Sequence, residues 1–330
     1  MMADKKYLYP LKFDTIFKEK IWGGTKIRDV LGKDFSPLKN CGETWEISGV
    51  EGNLSKVSEG PLQGMTIPEI TALFKEEFVG KKVYKKYGNS FPLLIKFIDA
   101  AKDLSIQVHP NDKLAKERHN SLGKTEMWYV MQADKGAKLI SGFSKNTSKE
   151  EYLDYLNSGS LLDILNEEPV KTGDAFYLPA GRVHTIGKGL LIAEIQQASD
   201  ITYRIYDFDR IDKQGSKREL HREEAIEALD YNAYSNYKIQ VKKSLNEVVP
   251  LVESEYFQTN LLDFSTGIIR EHYNKDSFVI YVCVEGEAEI TTLGHTAKIS
   301  IGNAVLVPQK FPEVHIKTNS GFKMLETFFP

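Results

Sequence analysis

The sequence predicts a mainly β protein made of two related β-domains with small helical insertions. Most of the chain is short apolar runs punctuated by Gly and Pro, such as FPLLIKFIDA, TEMWYVMQA, DAFYLP, LLIAEIQQ and SFVIYVCVEG, a spacing that favours a sandwich or barrel. One phrase is written twice: KTGDAFYLPAGRVHT at Lys171–Thr185 and SIGNAVLVPQKFPEVH at Ser300–His315. The likeness extends upstream, where EMWYVMQADKGAKLI (Glu126–Ile140) and VIYVCVEGEAEI (Val279–Ile290) both read as strand, acidic Gly-containing turn and strand. Two related domains explain this more economically than a many-repeat array.

Three helical segments interrupt the strands. Thr66–Gly88 has Thr66 as a cap, Pro68 in the first turn and Gly88 as a stop. Ser148–Glu168 places Tyr152, Leu153, Leu156, Leu161, Leu162 and Leu165 at roughly helical spacing, with Gly159 as a break. Arg218–Tyr231 carries ELHREEAIEALDY, and the polar stretch after it sets a domain boundary near Tyr234. The expected division is residues 1–234 and 235–330.

The chain has 330 residues, enough for two domains with a sizeable core. Its 41% hydrophobic and 27% charged residues are those of an ordinary globular protein. No apolar run is long enough for a membrane helix, and the opening MMADKKYLYPLKF has no signal-peptide pattern. Two distant cysteines, Cys41 and Cys283, exclude a disulfide framework and point to a reducing cytoplasm. A net charge of −3 argues against nucleic acid as the main partner. The basic run KKVYKKYG at Lys81–Gly88 reads as a solvated helix face.

The first copy of the repeat carries chemistry that the second lacks. In Gly173-x5-Pro179-x-Gly181-x2-His184, Gly181 permits a positive φ and Pro179 fixes the exit from the strand, so His184 is presented from a tight turn. Upstream, SIQVHPNDK places Gln107 and His109 two apart, hence on one strand face, and Ser105 shares it. Glu126 opens an aromatic strand beside Trp128 and Val130, where an acid is costly unless paired or metal-bound. Gln107, His109, Glu126 and His184 together are an oxygen/nitrogen set suited to Zn²⁺, with Fe²⁺ or Mn²⁺ as alternatives. Matching Tyr129–Val130 to Tyr281–Val282 puts Phe278 at the position of Glu126, and the turn before His315 is longer and lacks the Gly. The second copy is therefore expected to be structural, and His315 to be structural or at the surface.

With these residues in view, the chain resembles the type I mannose-6-phosphate isomerases, in their shorter bacterial form. The likeness rests on SIQVHP, KTEMWYV, PAGRVHTI and EIQQASDITYRIYDFDR, with PLKF…IWGG and GETWEIS nearer the start. It runs from about Pro10 to Arg210 and more weakly through the C-terminal copy. The resemblance implies two cupin domains, that is, jelly-roll β-barrels, the second degenerate. It also implies one zinc ion per chain and interconversion of mannose 6-phosphate and fructose 6-phosphate through an enediol. Such chemistry needs a base, an electropositive group beside the developing oxyanion, and cations for the phosphate.

Glu194, which interrupts the apolar strand LLIAEIQQ, is the candidate base. Arg204 in TYRIYDFDR matches the family's active-site arginine and is expected to stabilise the enediolate or hold phosphate; an ion pair with Asp207 or Asp209 is its rival role, and a stronger rival for Arg210. Lys124, two residues before Glu126, points to the same pocket. Ser105, Arg210 and Glu46 complete the expected substrate contacts. An Fe²⁺ dioxygenase and a non-catalytic sugar-binding dicupin are the competing functions. Expected partners are a small sugar phosphate and at most a second copy of the chain (monomer or homodimer), with neither nucleic acid nor membrane.

Overall fold

The computed structural model describes residues 6–211, 215–242 and 244–330. Twelve strands form the first pair of sheets: β1 (Ile16–Lys18), β2 (Glu43–Ser48), β3 (Leu93–Ala100), β4 (Ile106–Val108), β5 (Glu126–Ala133), β6 (Lys138–Phe143), β7 (Leu165–Pro169), β8 (Ala175–Leu178), β9 (His184–Ile186), β10 (Leu190–Gln197), β11 (Tyr203–Tyr206) and β12 (Lys238–Ile239). The larger sheet has the order β1-β2-β3-β10-β5-β8-β12 and the smaller β11-β4-β9-β6-β7. Eight more strands, β13 (Glu247–Glu253), β14 (Gln258–Phe264), β15 (Ile268–Glu271), β16 (Val279–Thr292), β17 (His295–Ser300), β18 (Ala304–Val307), β19 (Glu313–Lys317) and β20 (Phe322–Phe328), build the second barrel around the long β16. All pairings between named strands are antiparallel, as expected of jelly rolls.

The apolar runs become the strands that the sequence predicts, and the outer face of the first barrel packs on the second. Met127 and Tyr129 of β5 share one core with Phe278 and with Ile280 and Val282 of β16, whereas Trp128 and Val130 belong to an inner core of the first barrel. Alternation along β5 thus separates the interdomain side from the interior.

The helical segments are shorter than their periodicity suggests. Residues 66–88 form α2 (Ile67–Phe74), α3 (Glu76–Val79) and α4 (Lys81–Tyr87), following a one-turn α1 (Lys26–Asp29). Thr66 does cap α2, its N–H donating to Glu69 at 2.8 Å. The break at Gly80 is tertiary: its φ is +92°, and a Cβ there would lie 2.3 Å from the Asp276 carbonyl oxygen. The Asp276 carboxylate then accepts from the Lys81 and Lys82 N–H groups at 2.8 and 3.0 Å, capping α4 from the second barrel.

An unforeseen α5 (Asp112–His119) starts at Asn111, whose side chain accepts from the Leu114 N–H. In residues 148–168, α6 (Lys149–Asn157) ends at Gly159 as expected, and a 3₁₀ turn covers Leu161–Ile164. Residues 165–169 are the edge strand β7 rather than helix, with Pro169 tolerated there because an edge leaves one side of the strand unpaired. Only Arg222–Ala228 of the third segment is helical (α7), because the residues before it are drawn to β11. The His221 N–H donates to the Arg204 carbonyl at 2.7 Å, and His221 Nδ1 accepts from the Arg204 N–H.

The strand registers correct the alignment of the two copies. Leu178, the residue before Pro179, stands opposite Glu126, and Val307, before Pro308, stands opposite Val279. Val279, not Phe278, is therefore the counterpart of Glu126. A one-residue slip moves a side chain to the other face of the sheet, and Phe278 indeed faces the first barrel, its ring 4.7 Å from that of Phe91.

Candidate active site

The interior of the first barrel brings the predicted ligands together. Across the smaller sheet Arg204 stands opposite Gln107, and Gln107 opposite His184. Across the larger sheet Lys96 stands opposite Glu194, and Glu194 opposite Trp128. The turn carrying His184 behaves as its motif predicts: Gly181 has φ +92°, and its N–H donates to the His109 carbonyl at 2.9 Å, tying the two histidine segments together.

His109, Glu126 and His184 are all buried, and their ligand atoms lie within 4.8 Å of one another. Each histidine bonds a backbone carbonyl through Nδ1, His109 that of Ile201 at 2.9 Å and His184 that of Arg182 at 2.8 Å. This places the proton on Nδ1 and turns the Nε2 lone pair inward, as in metal-ligating histidines. The Nε2 atoms lie 3.5 Å (His109) and 3.3 Å (His184) from the Glu126 carboxylate. Burial takes His184 down to about 3, and burial with the charge of Lys124 takes His109 well below its usual value, so both rings are neutral donors. Both Glu126 oxygens are buried without a hydrogen-bond partner, and burial, then Glu194, raises this carboxyl to about 7. A carboxylate so placed is costly without a cation, and a divalent ion fits this set. Gln107 stands beside it, its amide nitrogen 3.3 Å from His184 Nε2, where a half-turn of the amide presents oxygen instead. The Lys124 ammonium lies 3.0 Å from His109 Nε2 and 3.4 Å from Glu126.

In front of these ligands is a cavity of about 360 Å³, within the range of small-molecule sites. Gln107, Lys124, Glu194, Ser105 and Arg204 all line it. Glu194 is 3% exposed; it accepts from Trp128 Nε1 at 2.7 Å and lies 3.1 Å from Lys96 Nζ. Six basic side chains line the cavity against three acidic ones, although the whole chain is net acidic.

Two predicted residues stand apart from the cavity lining. Glu46 faces the other side of β2, 2.9 Å from Lys33 and 3.1 Å from Thr15. Arg210 is bonded to the Asp207 carboxylate and to the Asp103 carbonyl. Conversely, Lys18, Lys20, Glu43, Lys96 and Arg218 line the cavity although sequence reading passed over them. Lys96 could have been found: it interrupts the apolar FPLLIKFIDA just as Glu194 interrupts LLIAEIQQ. Burial opposes the charge of Lys96, but Glu194 and Glu43 outweigh it and raise its pKa. In return Lys96 and Lys20 overcome burial to bring Glu43 to about 2. This is a row of compensated buried charges along the cavity wall.

Comparison with known proteins shows the family. The family model for the phosphomannose isomerase type I catalytic domain matches residues 10–139, and that for the mannose-6-phosphate isomerase cupin domain matches residues 247–322. The chain is 37% identical to the probable mannose-6-phosphate isomerase GmuF of Bacillus subtilis, over 95% of this chain and 98% of that one. It is 44% identical to mannose-6-phosphate isomerase of Streptococcus mutans, over 69% of this chain and 70% of that one. The crystal structure of mannose 6-phosphate isomerase from Bacillus subtilis superposes with a TM-score of 0.85 at 35% identity, covering 97% of this chain and 99% of that one. The chain belongs to the type I phosphomannose isomerase family.

Proposed function

We propose that the protein interconverts mannose 6-phosphate and fructose 6-phosphate through an enediol, with one zinc ion per chain. The observation that carries this reading is the buried His109–Glu126–His184 group, adjoining a basic cavity whose wall holds Glu194 beside Lys96. His109, Glu126, His184 and Gln107 would hold the ion. When bound, it supplies positive charge beside the sugar oxygen on which charge develops. Two neutral imidazoles, a carboxylate and an amide suit zinc.

The remaining steps belong to the chain's own groups. Glu194 takes the proton from C2 and returns it to C1, while the hydroxyl proton passes from O2 to O1 across the enediol; the Trp128 N–H and Lys96 hold Glu194 in position. Arg204 stabilises the enediolate with a charge that burial leaves underpaired: its Nε is buried without a hydrogen-bond partner. Lys124 and Ser105 contact the sugar oxygens. Arg210 supports the site from behind, through Asp207 and Arg218, whereas Glu46 is paired with Lys33 away from the cavity. Residues 1–234 form the catalytic unit, to which β12 (Lys238–Ile239) adds an edge strand beside β8, and the strands from Glu247 onward form its structural partner. Among the described residues no helix is long and apolar enough to cross a membrane. Both cysteines are free and buried, which supports a cytoplasmic site of action.

A coupled assay with mannose 6-phosphate, together with metal analysis, tests the reading. Turnover, one zinc per chain and inactivation by a chelator are expected. A metal-free preparation of full activity would remove the metal from the mechanism, and no turnover by the zinc-loaded protein would sink the assignment.

A further inference from the structure

Three arginines gather around one buried carboxylate at the edge of the cavity. Asp207, 5% exposed, accepts from Arg218 Nε at 2.7 Å and bonds the Nη2 groups of both Arg218 and Arg210. Among the described residues Arg204, standing alongside, has the Glu219 carbonyl on Nη1, at 2.7 Å, and no hydrogen-bond partner on its buried Nε. Burial, then the charge of Arg218, lowers the pKa of Arg204, so the two guanidiniums feel each other. One buried carboxylate cannot neutralise three guanidiniums. The other acids nearby, Asp200 and Glu219, are exposed to solvent and screened.

The three arginines are not equivalent. Arg210 is used up by the Asp207 carboxylate and the backbone carbonyls of Asp207 and Asp103, and it does not line the cavity. Arg204 and Arg218 do. Arg218 meets Asp207 through Nε and Nη2, the same edge of the guanidinium, which leaves Nη1 on the opposite side. The backbone nearby is pinned by the pair of bonds between His221 and Arg204. β11 is an edge strand, so this cluster lies at the outer end of the row that runs from His184 through Gln107 to Arg204. A sugar whose C1 and C2 sit by Glu194 would carry its C6 phosphate toward such an outer end, four carbons from C2.

Resting on the isomerase reading above, we propose that Arg218, beside Arg204, binds the substrate's phosphate dianion at the cavity rim, with Asp207 and Arg210 fixing the Arg218 guanidinium. A preorganised fork with an unspent edge is the geometry that phosphate recognition uses. Elsewhere in the cavity lining Lys20 is paired with Glu43 at 3.1 Å, and Lys18 bonds the neutral Asn53 above the Trp45 ring. Lys18 is therefore the rival anchor.

The test is steady-state kinetics of zinc-loaded Arg218→Gln, Arg218→Lys, Arg210→Gln and Lys18→Gln, with inorganic phosphate as competitive inhibitor. Arg218→Gln should raise KM for mannose 6-phosphate about 10- to 100-fold, the range spanned by a hydrogen bond to a charged group, with the effect falling on KM rather than kcat. Its inhibition constant for inorganic phosphate should rise in parallel. Arg218→Lys should lie between it and wild type and serves if the Gln variant does not fold. Arg210→Gln should change KM less than Arg218→Gln. A KM for both Arg218 variants within about twofold of wild type, or a rise confined to Lys18→Gln, overturns the proposal. Wild-type protein that binds inorganic phosphate with Arg218 dependence but turns over no mannose 6-phosphate would sink the isomerase reading and leave the anion site standing.

Discussion

Glu194 in the first barrel and Glu326 in the second occupy matching places. Glu194 stands opposite Trp128, two residues beyond Glu126; Glu326 stands opposite Tyr281, two residues beyond Val279. Each takes a hydrogen bond from that aromatic partner, Trp128 Nε1 at 2.7 Å and Tyr281 Oη at 3.3 Å. On the next strand Lys96 faces Glu194 where Asn260 faces Glu326. The surroundings then diverge. Arg270 reaches across from β15 and grips both Glu326 oxygens at 2.8 Å, while Asn260 donates at 2.8 Å and His272 lies 3.4 Å away. Burial opposes ionisation of Glu326, but Arg270 outweighs it and holds the pKa below the usual carboxylate range. Where the first barrel has inward imidazoles, the second has the buried Val314 and Ile316, with His315 pointing outward, 40% exposed and paired with Glu313. The repeated fold keeps a buried acid in both copies. What differs is whether its cation stands beside it, leaving access from a cavity, or closes over it from the facing sheet.

The comparison is broken most severely at the acids themselves. Glu194→Gln keeps the Trp128 contact but removes the proposed base, so kcat should fall by about 10²–10⁴, the usual contribution of general base catalysis, with metal content and fold retained. Glu326→Gln should leave kcat near wild type and lower stability instead. Equal losses of kcat would mean the second barrel takes part in the chemistry.

A smaller effect is expected on the cationic side. Arg204→Lys keeps a charge but loses the planar fork, and kcat should drop on the order of 10²–10³ with zinc content unchanged. A rise in KM alone would move Arg204 from the developing oxyanion to ground-state binding. Arg270→Leu is its counterpart. It should not touch turnover, but it strands Glu326 in the core and should cost about 3–5 kcal/mol in denaturant unfolding. Stability within experimental error of wild type would show that the core hydrates Glu326 in its absence.

How far this was legible in the sequence depends on how local each signal is. The candidate ligand set was readable because its constraints are short-range: strand alternation at Gln107 and His109, a Gly-Pro turn at His184, an acid among aromatics at Glu126. Glu194 and Lys96 emit the same signal, a charge inside an apolar strand, and each explains the other only through a register of strands about 100 residues apart. Read singly, Lys96 is one lysine among many. The slip that set Phe278 against Glu126 came from matching residue types, Tyr-Val to Tyr-Val, whereas the register follows the residue before each Pro. The helix broken at Gly80 was invisible because Asp276, which caps its second part, lies nearly 200 residues away. Arg210 and Arg218 look alike in sequence; Asp207 and the route of the chain past β11 distinguish them.

The finest test concerns His272, which has no counterpart among the ligands of the first barrel. It is 3% exposed, bonds the Tyr281 hydroxyl at 2.8 Å, and its Nδ1 is buried without a partner. Burial is the main cause that takes its pKa down to about 4; Glu326 opposes the shift, and Arg270 and Lys275 reinforce it. The unfolded chain, with an ordinary histidine near 6.5, binds more protons than the folded one between those values. Stability from this residue is therefore fully present above pH 6.5 and is lost as pH falls toward 4, by on the order of 3 kcal/mol. Glu326 adds its own loss only lower, once pH drops below its unfolded value. The buried histidines of the first barrel respond in the same direction, so the informative quantity is a difference. Replacing His272 by Gln removes the titration while keeping a polar group for Tyr281. Chemical denaturation of both proteins at several pH values should show stability curves that converge from pH 7 to pH 4, the variant losing less on acidification. Parallel curves would mean that His272 is hydrated or protonated in the folded state, and that the second barrel is less tightly closed over its acid than the geometry of Arg270 and Glu326 implies.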